Sequence, residues 1–104
     1  MAEWIDVVEE AAFPVGERKV IQSDAGAILI FHLSDAYYAI EDRCSHDGGD
    51  IGLGVCEDDE IICPRHGARF CIKTGEALTP PAFEEIDVFS MRVHEGMVQV
   101  DIDS

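Results

Sequence analysis

Two cysteines and two histidines stand in two matched pairs, Cys44-Ser45-His46 and Cys63-Pro64-Arg65-His66, with sixteen residues between the pairs. Each pair offers one soft sulfur donor and one imidazole. That division suits a binuclear centre in which one metal takes both thiolates and the other takes both imidazoles. A single tetrahedral zinc is the other chemistry open to two Cys and two His. Zinc sites usually group Cys with Cys and His with His, so the mixed pairs favour two metals over one. Both pairs sit in turn-forming surroundings. Asp47-Gly48-Gly49-Asp50 follows the first, and Pro64 and Gly67 bracket the second.

The elements that must position these pairs read as short strands. Trp4 to Val8 is the first, followed by a connection over Glu9 to Pro14 with room for one helical turn, broken at Pro14 and Gly16. Lys19 to Gln22, Ala27 to Leu33 and Ala36 to Ile40 follow, joined by Ser23-Asp24-Ala25-Gly26 and Ser34-Asp35, as an antiparallel meander. After the first pair, Ile51 to Val55 leads to an acidic turn, Glu57 to Glu60, and Ile61-Ile62 runs directly into Cys63. Arg69 to Ile72 and the turn Lys73 to Glu76 follow the second pair. Thr79-Pro80-Pro81-Ala82 is neither helix interior nor central strand. The clearest hairpin runs from Ile86 to Val93, through His94-Glu95-Gly96, to Met97 to Ile102. There Val98, Val100 and Ile102 alternate with polar residues. The expectation is an all-β antiparallel sandwich of nine to ten short strands, one domain over residues 1–104, with the metal-binding region at about 42–82.

The 104 residues carry 22 acidic and 7 basic side chains, a formal net charge of −15. A nucleic-acid partner is excluded, because phosphates must be neutralised by cations. An anionic membrane surface is disfavoured for the same reason. Such a charge steers a protein towards a basic patch on a protein partner. The first residues carry no basic segment followed by an apolar run, and no apolar stretch is long enough to span a bilayer. The expected location is the cytoplasm. There, metal ligation or free thiols account for four cysteines better than disulfides do.

The segment Cys44-Ser45-His46-Asp47 to Cys63-Pro64-Arg65-His66-Gly67 resembles the Rieske iron–sulfur motif, C-x-H followed by C-x-x-H. Gly48, Arg69-Phe70, Thr74-Gly75 and Pro80-Pro81 extend the likeness, which reaches the whole chain and is strongest to the small ferredoxins that serve ring-hydroxylating dioxygenases. The resemblance implies one [2Fe–2S] cluster, with Cys44 and Cys63 on the inner iron and His46 and His66 on the outer. It implies a soluble one-electron carrier, not an enzyme, that takes electrons from a flavin-dependent reductase and delivers them to a terminal non-haem iron oxygenase. High-potential members of the family carry a disulfide between the loops, at positions that are Gly49 and Arg65 here, so the loops are expected not to be stapled. Hydroxyl donors of those members are replaced by Ala68 and Phe70. Fewer donors to the cluster imply a low potential, about −150 mV.

Other roles are compatible with the same residues. A small subunit of a larger oxidoreductase of the nitrite-reductase type, a helper in iron–sulfur assembly and a zinc-bound interaction module each remain open. Cys56 and Cys71 read either as a regulatory disulfide or alternative ligands, or as small residues filling a β core. Acidic neighbours of Cys56 would raise its thiol pKa. His32 reads as a satisfied strand residue and His94 as solvated. The run Glu57 to Glu60 reads equally as a docking patch or a hairpin tip. Asp47 and Asp50 adjoin the first pair, placed to tune the cluster or touch a partner. Arg65 and Arg69 are placed to offset charge on reduction or to contact the reductase.

Overall fold

The computed structural model of the chain describes residues 2–45 and 47–103. Nine strands are present among them: β1 (Trp4–Glu9), β2 (Arg18–Ser23), β3 (Gly26–His32), β4 (Tyr37–Glu41), β5 (Cys56–Glu57), β6 (Glu60–Ile62), β7 (Arg69–Cys71), β8 (Val88–His94) and β9 (Met97–Asp101). A single 3-10 turn, Glu10–Ala12, fills the connection after β1. The strands form a six-stranded sheet in the order β1-β9-β8-β4-β3-β2 and a three-stranded sheet in the order β5-β6-β7, all antiparallel.

The uninterrupted apolar run in β3 explains the layering. A strand with polar residues on alternate positions has one wet face, whereas Ile28 to Phe31 are all buried. Successive side chains point to opposite faces. Ile28 and Ile30 therefore pack with Phe13, Ala39, Val98 and Val100. Leu29 and Phe31 pack on the other side with Ile40, Ile61, Phe70 and Ile72. Because β3 and β9 meet in one cluster while standing apart in the strand order, the large sheet folds over on itself. The small sheet covers its remaining face. β4 joins β8 through two pairs, Ala39 with Phe89 and Ile40 with Val88.

One difference from the sequence expectation has a local cause. The strand expected to start at Ile86 starts at Val88. Ile86 is instead buried in the cluster beneath the small sheet, and its N–H donates to the carbonyl of Gly75 at 2.9 Å. Gly75 has φ +78, and a Cβ there would lie 2.1 Å from the Ile86 carbonyl oxygen. Glycine is thus required on both counts. The acidic stretch Glu57 to Glu60 is the tip of the β5–β6 hairpin, with Asp58 at φ 54. Both ends of that run are engaged by Arg69, at 2.8 Å to Glu57 and 3.3 Å to Glu60. Its reading as a free docking patch therefore loses half of its charges.

Candidate metal centre

The two Cys-His segments sit on one repeated turn. Cys44 N–H donates to the carbonyl of Gly49 at 2.8 Å, and its carbonyl accepts from Gly48 N–H at 2.7 Å. Cys63 repeats the pattern with Ala68 at 2.7 Å and Gly67 at 3.0 Å. In each case a glycine in the left-handed region, φ 75 at Gly48 and 74 at Gly67, turns the chain back. The turn leaves each cysteine at its buried base. Cys71 opens a third copy, closed by Gly75 N–H at 2.8 Å and by Glu76 at 2.9 Å. That copy carries Lys73 and Thr74 in place of an imidazole, so the backbone turn alone is not the metal signal. The spacing C-x-x-x-G, present three times in the sequence, marks all three turns.

The turns bring the two predicted thiols together. Cys44 is 0% exposed and Cys63 1%. Their sulfurs and one Asp47 carboxylate oxygen all lie within 4.8 Å of one another. Both thiols belong to the apolar cluster that contains Ile51, Ile61, Ala68, Phe70 and Ala82. His66 is at the outer end, its side chain 47% exposed and its Nε2 3.6 Å from Asp47 Oδ2. His46, the fourth predicted ligand, lies outside the described residues. A buried pair of sulfurs beneath a half-exposed imidazole fits a centre with thiolates inboard and nitrogen outboard. The donor set suits a thiolate-loving metal such as iron in a sulfide cluster.

Several side chains that hold these turns were not singled out from the sequence. Asp42, 8% exposed, accepts the N–H of Ile51 at 2.9 Å and of Gly52 at 2.8 Å, and so fixes the chain where it leaves the first turn. Arg18, from β2, donates to the carbonyls of Gly52 at 3.0 Å and Gly54 at 2.7 Å. Ser45 donates to the Glu84 carbonyl at 2.6 Å, tying the first turn to the segment after the two prolines. The stretch just before those prolines is bound to β7, through Arg69 N–H to Thr79 Oγ1 at 3.0 Å and Leu78 N–H to the Arg69 carbonyl at 2.8 Å. An aspartate ending a strand before a glycine-rich loop is the signal that could have found Asp42. Arg18 left none, because its partners are 34 and 36 residues away.

Arg65 and Asp47 change one expectation. The two turns carry no disulfide at Gly49 and Arg65, yet they are joined. Arg65 donates from Nε to Asp47 Oδ2 at 2.6 Å and from Nη2 to Asp47 Oδ1 at 3.1 Å. Its Nη1 reaches the Asp50 carbonyl at 2.7 Å. The guanidinium, followed by the Gly49 N–H, holds the Asp47 carboxyl far below the usual carboxylate range. The same hydrogen bond to Asp47 pushes Arg65 up. Arg69, the other expected cation, lies on the outer face of the small sheet with Glu57 and Glu60.

The remaining candidates resolve simply. Cross-strand pairing places Cys56 with Ile61 and Phe70 on one face of the small sheet, and Cys71 with Glu60 on the other. Neither is in a disulfide, and opposite faces preclude one between them. Burial, more than the neighbouring Asp58 and Asp59, pushes the Cys56 thiol up. His32 is satisfied as expected, with Nδ1 2.6 Å from the Phe13 carbonyl and its ring stacked on Tyr37 at 4.0 Å. His94 is half-exposed, 4.0 Å from Glu95. Among the described residues no helix is long and apolar enough to cross a membrane.

Comparison with known proteins agrees with this geometry. The family described as the Rieske [2Fe-2S] domain matches residues 3–90. The 3-phenylpropionate/cinnamic acid dioxygenase ferredoxin subunit of Escherichia coli K12 is 38% identical over 93 residues, 88% of this chain and 87% of that protein. A chain in a solved complex of reduced oxygenase and oxidised ferredoxin of carbazole 1,9a-dioxygenase superposes with a TM-score of 0.87 at 28% identity, covering 94% of this chain and 92% of that one. A Mycobacterium tuberculosis structure described as the small subunit of an NADH-dependent nitrite reductase has a TM-score of 0.82 over 97% of this chain and 96% of its own. Its 21% identity shows a shared fold alone.

Proposed function

The chain belongs to the Rieske [2Fe–2S] domain family, and on that premise we propose that it carries single electrons from a flavin-dependent reductase to a terminal non-haem iron oxygenase in the cytoplasm. The observation that carries the reading is the pair of buried thiols at the bases of two matching turns, with the His66 ring at the exposed end. In this reading Cys44 and Cys63 hold the inner iron, and His46 and His66 the outer. The bound cluster supplies a reversible one-electron couple and no bond chemistry of its own.

The chain's residues set the conditions for that couple. Phe70, Ile61 and Ala82 exclude water from the sulfur side. Asp42 and Arg18 fix the backbone between the two turns by four hydrogen bonds, so that oxidation and reduction need little rearrangement. His66 brings the ring edge to the surface, where a partner can approach within electron-transfer reach. Ala68 and Phe70 offer no hydroxyl to the centre, which leaves the reduced state less stabilised. The net charge of −15 suits transient encounter with a basic partner surface. The E. coli relative is named a dioxygenase ferredoxin subunit, and the carbazole structure is a complex of oxygenase and ferredoxin. Both support this assignment.

The test is electron flow. Purified holoprotein is mixed anaerobically with NADH and a catalytic amount of a flavin-dependent ferredoxin reductase, and then with an oxidised Rieske oxygenase. The reading predicts bleaching of the visible spectrum in the first step and recovery in the second. A spectrum unmoved by the reductase, or a chain that elutes only in tight complex with a larger oxidoreductase, would contradict it.

A further inference from the structure

We infer that Arg65 is a positioning residue: it clamps the tip of the second Cys-His turn to the first through Asp47 and Asp50, and this clamp retains the cluster. The inference rests on the ligand reading above. Each turn is closed on itself by its own backbone, which fixes its shape but not its distance from the other turn. Arg65 supplies three hydrogen bonds across that gap, two to the Asp47 carboxylate and one to the Asp50 carbonyl. The planar fork of a guanidinium matches a carboxylate in a way that an ammonium cannot.

Gly49 completes the device. A Cβ on residue 49 would lie 2.7 Å from both Cζ and Nη2 of Arg65. Any side chain at 49 would therefore lift the guanidinium off the first turn. Gly49 is not in the left-handed region, so its backbone conformation does not itself demand glycine. The absence of a side chain serves the approach of Arg65. Asp47, in turn, is oriented by the Gly49 N–H at 2.9 Å. The three residues make one unit that stands between the ligand-bearing turns without supplying a ligand.

The unit makes separable predictions. Arg65→Lys keeps the charge and loses the fork. Gly49→Ala keeps every charge and donor but displaces the guanidinium. Both are expected to speed loss of the cluster to a chelator, followed as bleaching of holoprotein, by about tenfold. The double variant is expected to lose it no faster than either single one, because both break one contact. Arg65→Met removes the positive charge, leaves Asp47 uncompensated beside the ligands, and should lower the midpoint potential, whereas Arg65→Lys should keep it near the parent value. On metal-free protein, amide exchange at Gly48 and Gly67 should accelerate in Arg65→Lys and Gly49→Ala, while Val98 and Val100 stay protected. Unchanged exchange in those turns, or release rates within twofold of the parent, would overturn the inference. If the parent protein carries no iron–sulfur cluster, the electron-carrier reading falls, and the exchange experiment still decides the clamp.

Discussion

Gly54→Ala is a substitution for which the geometry predicts a large effect. Gly54 is buried between the two Cys-His turns, and a Cβ there would lie 1.9 Å from the Ile62 carbonyl oxygen and 3.1 Å from that of Ile51. Ordinary contact begins near 3.4 Å, so the backbone must open by about 1.5 Å. Ile62 cannot move alone, because it precedes Cys63 directly and its N–H bonds the Val55 carbonyl at 2.9 Å. The Gly54 carbonyl also holds Arg18 at 2.7 Å. Overpacking costs about 1–3 kcal/mol, and two strained hydrogen bonds add about 1 kcal/mol each. The sum, about 3–5 kcal/mol, is a large share of the roughly 5–15 kcal/mol that stabilises a domain. It corresponds to a fall in Tm of about 15 °C or more. The assay is thermal unfolding of metal-free protein by circular dichroism, with iron content after purification as the second reading. Gly67→Ala is the control. Its Cβ meets nothing within 4 Å, so only its φ of +74 matters, at a cost of about 1–2 kcal/mol. A Gly54→Ala protein that melts within a few degrees of the parent and keeps its iron would refute the claim that this close approach fixes the second turn.

Three further outcomes are expected. Asp42→Ala leaves two backbone N–H groups near the core without their acceptor and should destabilise by about 2–4 kcal/mol in denaturant unfolding. Asp42→Asn retains an acceptor oxygen and should cost clearly less. Asp35 is held below the ordinary carboxylate range by its hydrogen bonds to Lys73 and then Tyr38. The unfolded chain therefore takes up the proton first, and the contribution of Asp35, full above the usual carboxylate pKa, is lost as pH falls through its depressed value. Asp35→Asn should flatten that part of the stability profile, and an unaltered acid limb would count against the pairing. Potentiometric titration should place the midpoint near −150 mV, as expected where hydroxyl donors are lacking. A value well above zero would contradict the role given to Ala68 and Phe70.

What the sequence made legible was what is local. C-x-H and C-x-x-H could be read because each pair is housed in one turn, whose shape is set by residues a few positions apart. The β8–β9 hairpin could be read because period-two alternation and Glu95-Gly96 act over short range. The apolar run of β3 could be read as a strand, but not that both of its faces are covered. Long-range fixation was illegible. Asp42 and Arg18 reach residues 9 to 36 positions away, and no local pattern encodes those bonds. Arg65 was legible as a cation near the cluster, but its bond to Asp47 became visible only once the two turns were side by side. The absence of a cysteine pair at 49 and 65 suggested unlinked loops, whereas glycine and arginine at those positions form the link by another chemistry. Cys71 shows the opposite limit, since it shares the turn of Cys44 and Cys63 without the imidazole that would make it part of the centre.

The central claim is that Cys44, His46, Cys63 and His66 hold a two-iron centre with sulfur inboard and nitrogen outboard. Electron paramagnetic resonance of the anaerobically purified, dithionite-reduced protein, taken with its iron and acid-labile sulfide content, tests it most directly. Two irons and two sulfides per chain are expected, the composition of the family's cluster, with a rhombic signal of average g below that of all-cysteine clusters. A colourless protein carrying one zinc, or a signal unchanged when His66 is replaced by cysteine, would contradict it.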